Sequence, residues 1–110
     1  MREAKRRRLE AKGWKVGSAA DFLDLTPEER AYVELKLRLA EGLKRRRVKT
    51  RLTQHELAKA VRSSQSRVAK MEAGDPTVSL DLLIRSLLAL GASRKEVGRI
   101  ISGSDRLPAT

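Results

Sequence analysis

The chain has 110 residues, 40% of them hydrophobic and 35% charged, and a net charge of +11 at neutral pH. That length suits one domain with a short appendage; the lack of cysteine excludes a disulfide framework or a thiolate metal centre, and no apolar run has the length of a membrane span or the pattern of a secretory signal. The charge is uneven, with +5 over residues 1–17, −3 over 18–43 and +6 over 44–51, which fits either a polyanionic partner or a solvated tail and helix end.

Gly, Pro and Ser/Thr punctuate runs of helical periodicity and nothing alternates like a strand, so the expected fold is all-α. A short basic helix is expected over 2–12, stopped by Gly13, followed by a turn over 13–17. Ser18 caps a short helix holding Phe22, Leu23 and Leu25. Thr26-Pro27-Glu28-Glu29 is a helix start: an N-cap, a proline at the first helical position and a capping-box glutamate. That helix is expected to run to about Lys49, with a stripe of Tyr32, Leu35, Leu39 and Leu43 flanked by Val33, Leu37 and Ala40. Thr53 and Glu56 cap a helix that reaches about Ala60. After a turn over 61–64, Ser64 caps a third helix, Gln65–Ala73, ended by Gly74. Asp75-Pro76 is a loop. Ser79 starts a helix with Leu80, Leu83, Leu87 and Leu90 as its buried face, ended by Gly91. Ser93 and Glu96 cap a last helix from Arg94 to about Ser102. The expected organisation is a basic and aromatic extension over 1–27, a helical domain over 28–103 and a frayed tail over 104–110.

Two short helices joined by a tight turn around residues 61–64 form a helix-turn-helix pattern. Ala58 is small where the helices cross, Val61 plugs the turn, and Val68 and Met71 face inward on the second helix. Gln65, Ser66, Arg67 and Lys70 are left to face outward, and none is acidic. His55, the single histidine, is expected to be an exposed helix residue. With no metal cluster, nucleophile–base pair or phosphate loop, neither enzyme activity nor a cofactor is expected.

Leu52-Thr53-Gln54-x-Glu56-Leu57-Ala58, followed by Ser64-Gln65-Ser66-x-Val68-x-x-Met71-Glu72-x-Gly74, resembles the Xre/lambda-repressor-like helix-turn-helix over roughly residues 33–102. The resemblance implies a compact five-helix domain, to which the helical segments before it add an N-terminal extension that the family domain does not need. It implies that Gln65 reads adenine and that Ser66 and Lys70 face bases, Lys being suited to guanine, with Arg67 on a base or phosphate. Gln54, Thr53 and Ser64 are then expected at phosphates. Arg47 and Glu72 match a buried ion pair of the family. Arg51 and Arg62 stand where the family often has Gly, at sites that favour positive φ. Either the turn is altered there or each arginine is kept for a phosphate contact. A homodimer on a palindromic operator is implied, with its contact around Leu80, Ile84, Val97, Ile100 and Ile101.

Upstream, Gly13-Trp14-Lys15-Val16-Gly17-Ser18-x-x-Asp21-Phe22-Leu23-x-Leu25 with Tyr32-Val33-Glu34-Leu35-Lys36-Leu37 is similar to the HigA-like antitoxins of type II toxin–antitoxin pairs. That similarity implies a cytoplasmic autorepressor whose second partner is a small basic ribonuclease toxin of the RelE/HigB type. Trp14, Phe22 and Tyr32 either cap an aliphatic core or form an arm that docks on the toxin. Two other readings stand beside it: a stand-alone Xre-type regulator, and a helix-turn-helix protein-interaction adaptor.

Overall fold

The structure, a computed structural model, describes residues 24–104. The elements expected before residue 24, Trp14 and Phe22 with them, and the tail beyond 104 lie outside the described residues. Five helices and no strand are present among the described residues: α1 (Pro27–Lys49), α2 (Gln54–Ala60), α3 (Gln65–Glu72), α4 (Leu80–Ala89) and α5 (Arg94–Ser102). The fold is all-α.

Each helix starts where a hydroxyl can satisfy a first-turn amide. Thr26, Thr53, Ser64, Ser79 and Ser93 are the five N-caps. Thr26 with Glu29, Thr53 with Glu56 and Ser93 with Glu96 close reciprocal capping boxes. The helices also end alike. After α1, α2, α3 and α4 the chain turns through a left-handed residue: Arg51, Arg62, Gly74 and Gly91 respectively. The next amide bonds back five residues: Leu52 to Arg47, Ser63 to Ala58, Asp75 to Lys70 and Ala92 to Leu87. This is the Schellman closure, repeated four times.

Helix α1 is the hub, packed by α3, α4 and α5, while α2 packs on α3. Leu39, Ala40 and Leu43 from α1 meet Leu57 and Ala58, Val68 and Met71, Leu83 and Leu87, and Val97 and Ile100 in one aliphatic core. Burying each larger aliphatic side chain contributes about 1.5–3 kcal/mol. At Gly42, α5 comes so close that an added Cβ would lie 2.9 Å from Ile100 Cδ1.

The buried face of α1 is rotated from the expected stripe. Val33, Leu39, Ala40 and Leu43 are buried, whereas Tyr32, Leu35 and Leu37 are only half-buried. Lys36 is buried on that face instead, at 1% exposure. Its position follows from its ammonium, which donates to the Pro76 carbonyl at 3.1 Å and so ties the α3–α4 loop to α1. The same ammonium lies 5.9 Å from the centroid of the Tyr32 ring. On α4, Leu83 and Leu87 are buried, but Leu80 and Leu90 are only partly so. Ser86 shares the buried face, its hydroxyl donating to Met71 Sδ at 3.5 Å.

Candidate nucleic-acid interface

The pair α2 and α3 is held by its inner surface. Ala58 is buried at the helix crossing, Val61 packs against the core from the turn, and Val68 and Met71 anchor α3 with no exposed surface. The opposite face of α3 carries Gln65, Ser66, Arg67 and Lys70, all exposed. Ser64 and Thr53 are exposed as well; their hydroxyl oxygens accept the amides of Arg67 and Glu56. A hydroxyl that accepts in this way keeps its own hydrogen to donate outward. His55 is exposed on α2.

Beneath this face runs a chain of polar contacts that crosses the motif. Arg47 on α1 grips Glu72 with both arms of its fork, Nε to Oε2 at 2.5 Å and Nη2 to Oε1 at 3.0 Å. Its remaining Nη1 donates to the Leu52 carbonyl at 2.7 Å. The Glu72 side chain is 3% exposed and that of Arg47 13%. Hydrogen bonding to Glu72 raises the Arg47 pKa above its ordinary value, and burial opposes this. Glu72 Oε1 also accepts from Gln54 Nε2 at 3.1 Å, and Gln54 Oε1 accepts from Gln65 Nε2 at 2.7 Å.

The order of these contacts is dictated by charge. An ionised carboxylate only accepts, so it must face the amide end of Gln54. The Gln54 oxygen is thereby turned towards Gln65 and meets the Gln65 amide. Gln65 is left with one N–H and its Oε1. Adenine offers an N7 acceptor and an N6 donor in the major groove, which that pair of groups matches. Both ends of the Gln54 carboxamide are engaged with protein partners, so it stands behind Gln65 as a support while its second amide hydrogen remains to donate.

The other expected site residues are dispersed. Arg51 and Arg62 are exposed on either side of α2 with φ of 60° and 56°. The turns keep the left-handed geometry despite the side chains. Tyr32 lies half-buried in a satellite cluster with Leu25, Val33 and Leu37, apart from the motif. Two of the expected dimer-contact residues lie largely inside the chain. Val97 and Ile100 are 7% and 8% exposed because both fill the core, Ile100 against Gly42. Leu80, Ile84 and Ile101 remain partly exposed, and Leu88, one turn beyond Ile84, is 45% exposed.

A family model for the helix-turn-helix domain matches residues 38–107. The chain belongs to that family. No curated protein and no solved structure is matched at a significant level. This helix-turn-helix protein is a DNA-binding regulator. The match begins inside α1 and takes in the motif, α4 and α5. Among the described residues no helix is long and apolar enough to cross a membrane.

A clamp on α5 gave no signal in the sequence. Arg46 donates to the Leu90 carbonyl at 3.1 Å and to Glu96 Oε2 at 2.6 Å. It points to the α5 side of α1 while its neighbour Arg47 serves the motif. A run of four consecutive basic residues, Lys44 to Arg47, does not reveal which of them are structural.

Proposed function

We propose that the protein is a sequence-specific transcriptional repressor that lays α3 in the major groove of a palindromic operator. The observation that carries this reading is the Arg47–Glu72–Gln54–Gln65 chain, which holds a base-reading carboxamide at the start of α3. Ser66 and Lys70 read neighbouring bases, and Arg67 reaches a base or a phosphate. Thr53 and Ser64 donate to phosphates through their hydroxyl hydrogens. It acts by binding rather than by catalysis, in the cytoplasm, as a homodimer. The partly exposed Leu80, Ile84, Leu88 and Ile101 supply apolar surface for that dimer. Two recognition helices then meet half-sites about one helical turn apart.

Within this reading the protein is the antitoxin of a type II pair, binding a small basic ribonuclease toxin and repressing its own operon. The similarity of residues 13–37 to HigA-like antitoxins supports it, with Trp14, Phe22 and Tyr32 as toxin contacts. A stand-alone regulator is the second reading, favoured by the intramolecular use of Tyr32 against Leu25, Val33 and Leu37.

Footprinting the purified protein on its own upstream promoter tests repression: a protected palindrome is expected, and uniform weak binding would point to an interaction adaptor. Co-purification with the product of the adjacent gene separates the other two. A stoichiometric complex with a small basic ribonuclease is expected for the antitoxin, and its absence leaves the stand-alone regulator.

A further inference from the structure

Four helices of this fold end in the same closure, and the left-handed position is filled in two different ways. Behind α3 and α4 it is Gly74 and Gly91; behind α1 and α2 it is Arg51 and Arg62. The hydrogen-bonding is equivalent at all four ends, with the amide of the following residue returning to a carbonyl five residues back at 2.8–3.1 Å. The backbone demand is therefore the same, and glycine meets it without strain whereas arginine does not. Arginine sits only at the two ends that border α2.

The two arginines also occupy matching places. Arg51-Leu52-Thr53-Gln54 and Arg62-Ser63-Ser64-Gln65 share one pattern: a left-handed Arg, a spacer, a hydroxyl N-cap and a Gln at the first helical position. The two Gln are bonded to each other at 2.7 Å, so the two segments converge on one point. Three residues span at most about 10 Å, which anchors each arginine near the glutamine that it precedes. Both side chains are exposed, and neither makes a hydrogen bond or ion pair among the described residues. Among the described residues, no side-chain contact of either arginine offsets the strained backbone.

We propose that Arg51 and Arg62 are a matched pair of DNA-phosphate contacts placed around the Gln54–Gln65 bond. Each keeps a strained backbone because that backbone delivers a guanidinium to the duplex. Arginine is suited to this by a permanent charge and a fork of donors that matches a phosphate. The inference rests on the DNA-binding reading and adds to it the residues that set its electrostatic strength.

Arg51→Gly, Arg62→Gly and the double variant test it, with thermal melting and titration of a random-sequence duplex between about 50 and 200 mM salt. Each glycine variant is expected to melt a few degrees higher, because the strain is relieved. Each is expected to bind about tenfold more weakly at 0.1 M salt and to flatten the log–log salt slope by about 0.9, the double variant by about twice that. Arg51→Lys and Arg62→Lys keep most of the slope without the gain in melting temperature. Lys95→Ala, which removes an exposed charge from α5, leaves the slope unchanged. Glycine variants with the wild-type slope, or a Lys95 variant that flattens it equally, overturn the proposal. If the wild-type protein shows no salt-dependent binding to any duplex, the DNA-binding reading falls first and this inference with it.

Discussion

The Gln65 side-chain amide donates to Gln54 Oε1 at 2.7 Å, joining the first residue of α3 to the first residue of α2. The bond fixes both the rotamer and the polarity of the Gln65 carboxamide without any DNA present. Replacing Gln65 by Ala should cost about 1–3 kcal/mol of operator affinity and relax preference at one base position. Gln54→Ala should lose part of the same discrimination by freeing Gln65 to rotate. The two losses should not add: a double-mutant cycle on the operator should give a coupling of at least about 0.5 kcal/mol. Strictly additive losses would show that Gln54 does not position Gln65.

Glu72→Ala should destabilise the domain by about 3 kcal/mol, since it leaves the largely buried Arg47 guanidinium without its counter-charge. Thermal melting should record a fall on the order of 12–20 °C. A melting temperature within a degree or two of wild type would remove the pair from the list of structural contacts.

Two glycines in helices should respond with opposite signs to the same substitution. Gly98 in α5 has nothing within 4 Å of an added Cβ. Gly98→Ala should therefore stabilise by about 1 kcal/mol through helix propensity alone. At Gly42 the added methyl meets Ile100 Cδ1 at 2.9 Å and Cγ2 at 3.1 Å. Overpacking there exceeds the propensity gain, so Gly42→Ala should destabilise by about 1 kcal/mol. Ile100→Val in the same chain should recover part of that loss, as read from urea midpoints.

Acid should weaken the fold through named carboxylates. Hydrogen bonding to Arg46, and then to the Ser93 backbone, holds Glu96 below its ordinary pKa of 4.5. The Thr53 backbone lowers Glu56, also from 4.5, and the Thr77 hydroxyl lowers Asp75 from 3.8. Groups depressed in the folded state bind fewer protons than in the unfolded chain. Their contribution is present above the unfolded pKa and is lost as pH falls through the folded one. The urea midpoint should therefore be insensitive to these groups near neutrality and should decline below about pH 4.5. Glu96→Gln should make that decline shallower; an unchanged acid limb would exclude Glu96 from it.

The sequence carried the elements well because their signals are local. Thr26-Pro27, Thr53, Ser64, Ser79 and Ser93 mark helix starts through hydrogen bonds that reach only three residues ahead. The inner face of the motif, Ala58, Val68 and Met71, was legible from helical spacing. What could not be read depends on partners distant in the chain. Lys36 looks like a surface charge until Pro76, 40 residues on, supplies its acceptor. Val97 and Ile100 look like apolar residues free for a second subunit until Gly42 admits α5 to the core. The support that Gln54 gives Gln65 depends on Glu72, 18 residues away, which fixes its polarity. Periodicity marks which residues turn inward, but it does not say which neighbour they meet.

The close approach of α5 to Gly42 also bears on how the chain is made. Helix α1 is synthesised first and α5 last among the described helices, yet the two are direct neighbours in the core. The part of α1 around Gly42 therefore stays uncovered until Ile100 has been added. A ribosome-bound chain stopped short of that residue holds a finished α3 on an unfinished hub. The motif therefore depends on a helix that follows it in the chain, for α5 must be made before the core that carries α3 is closed.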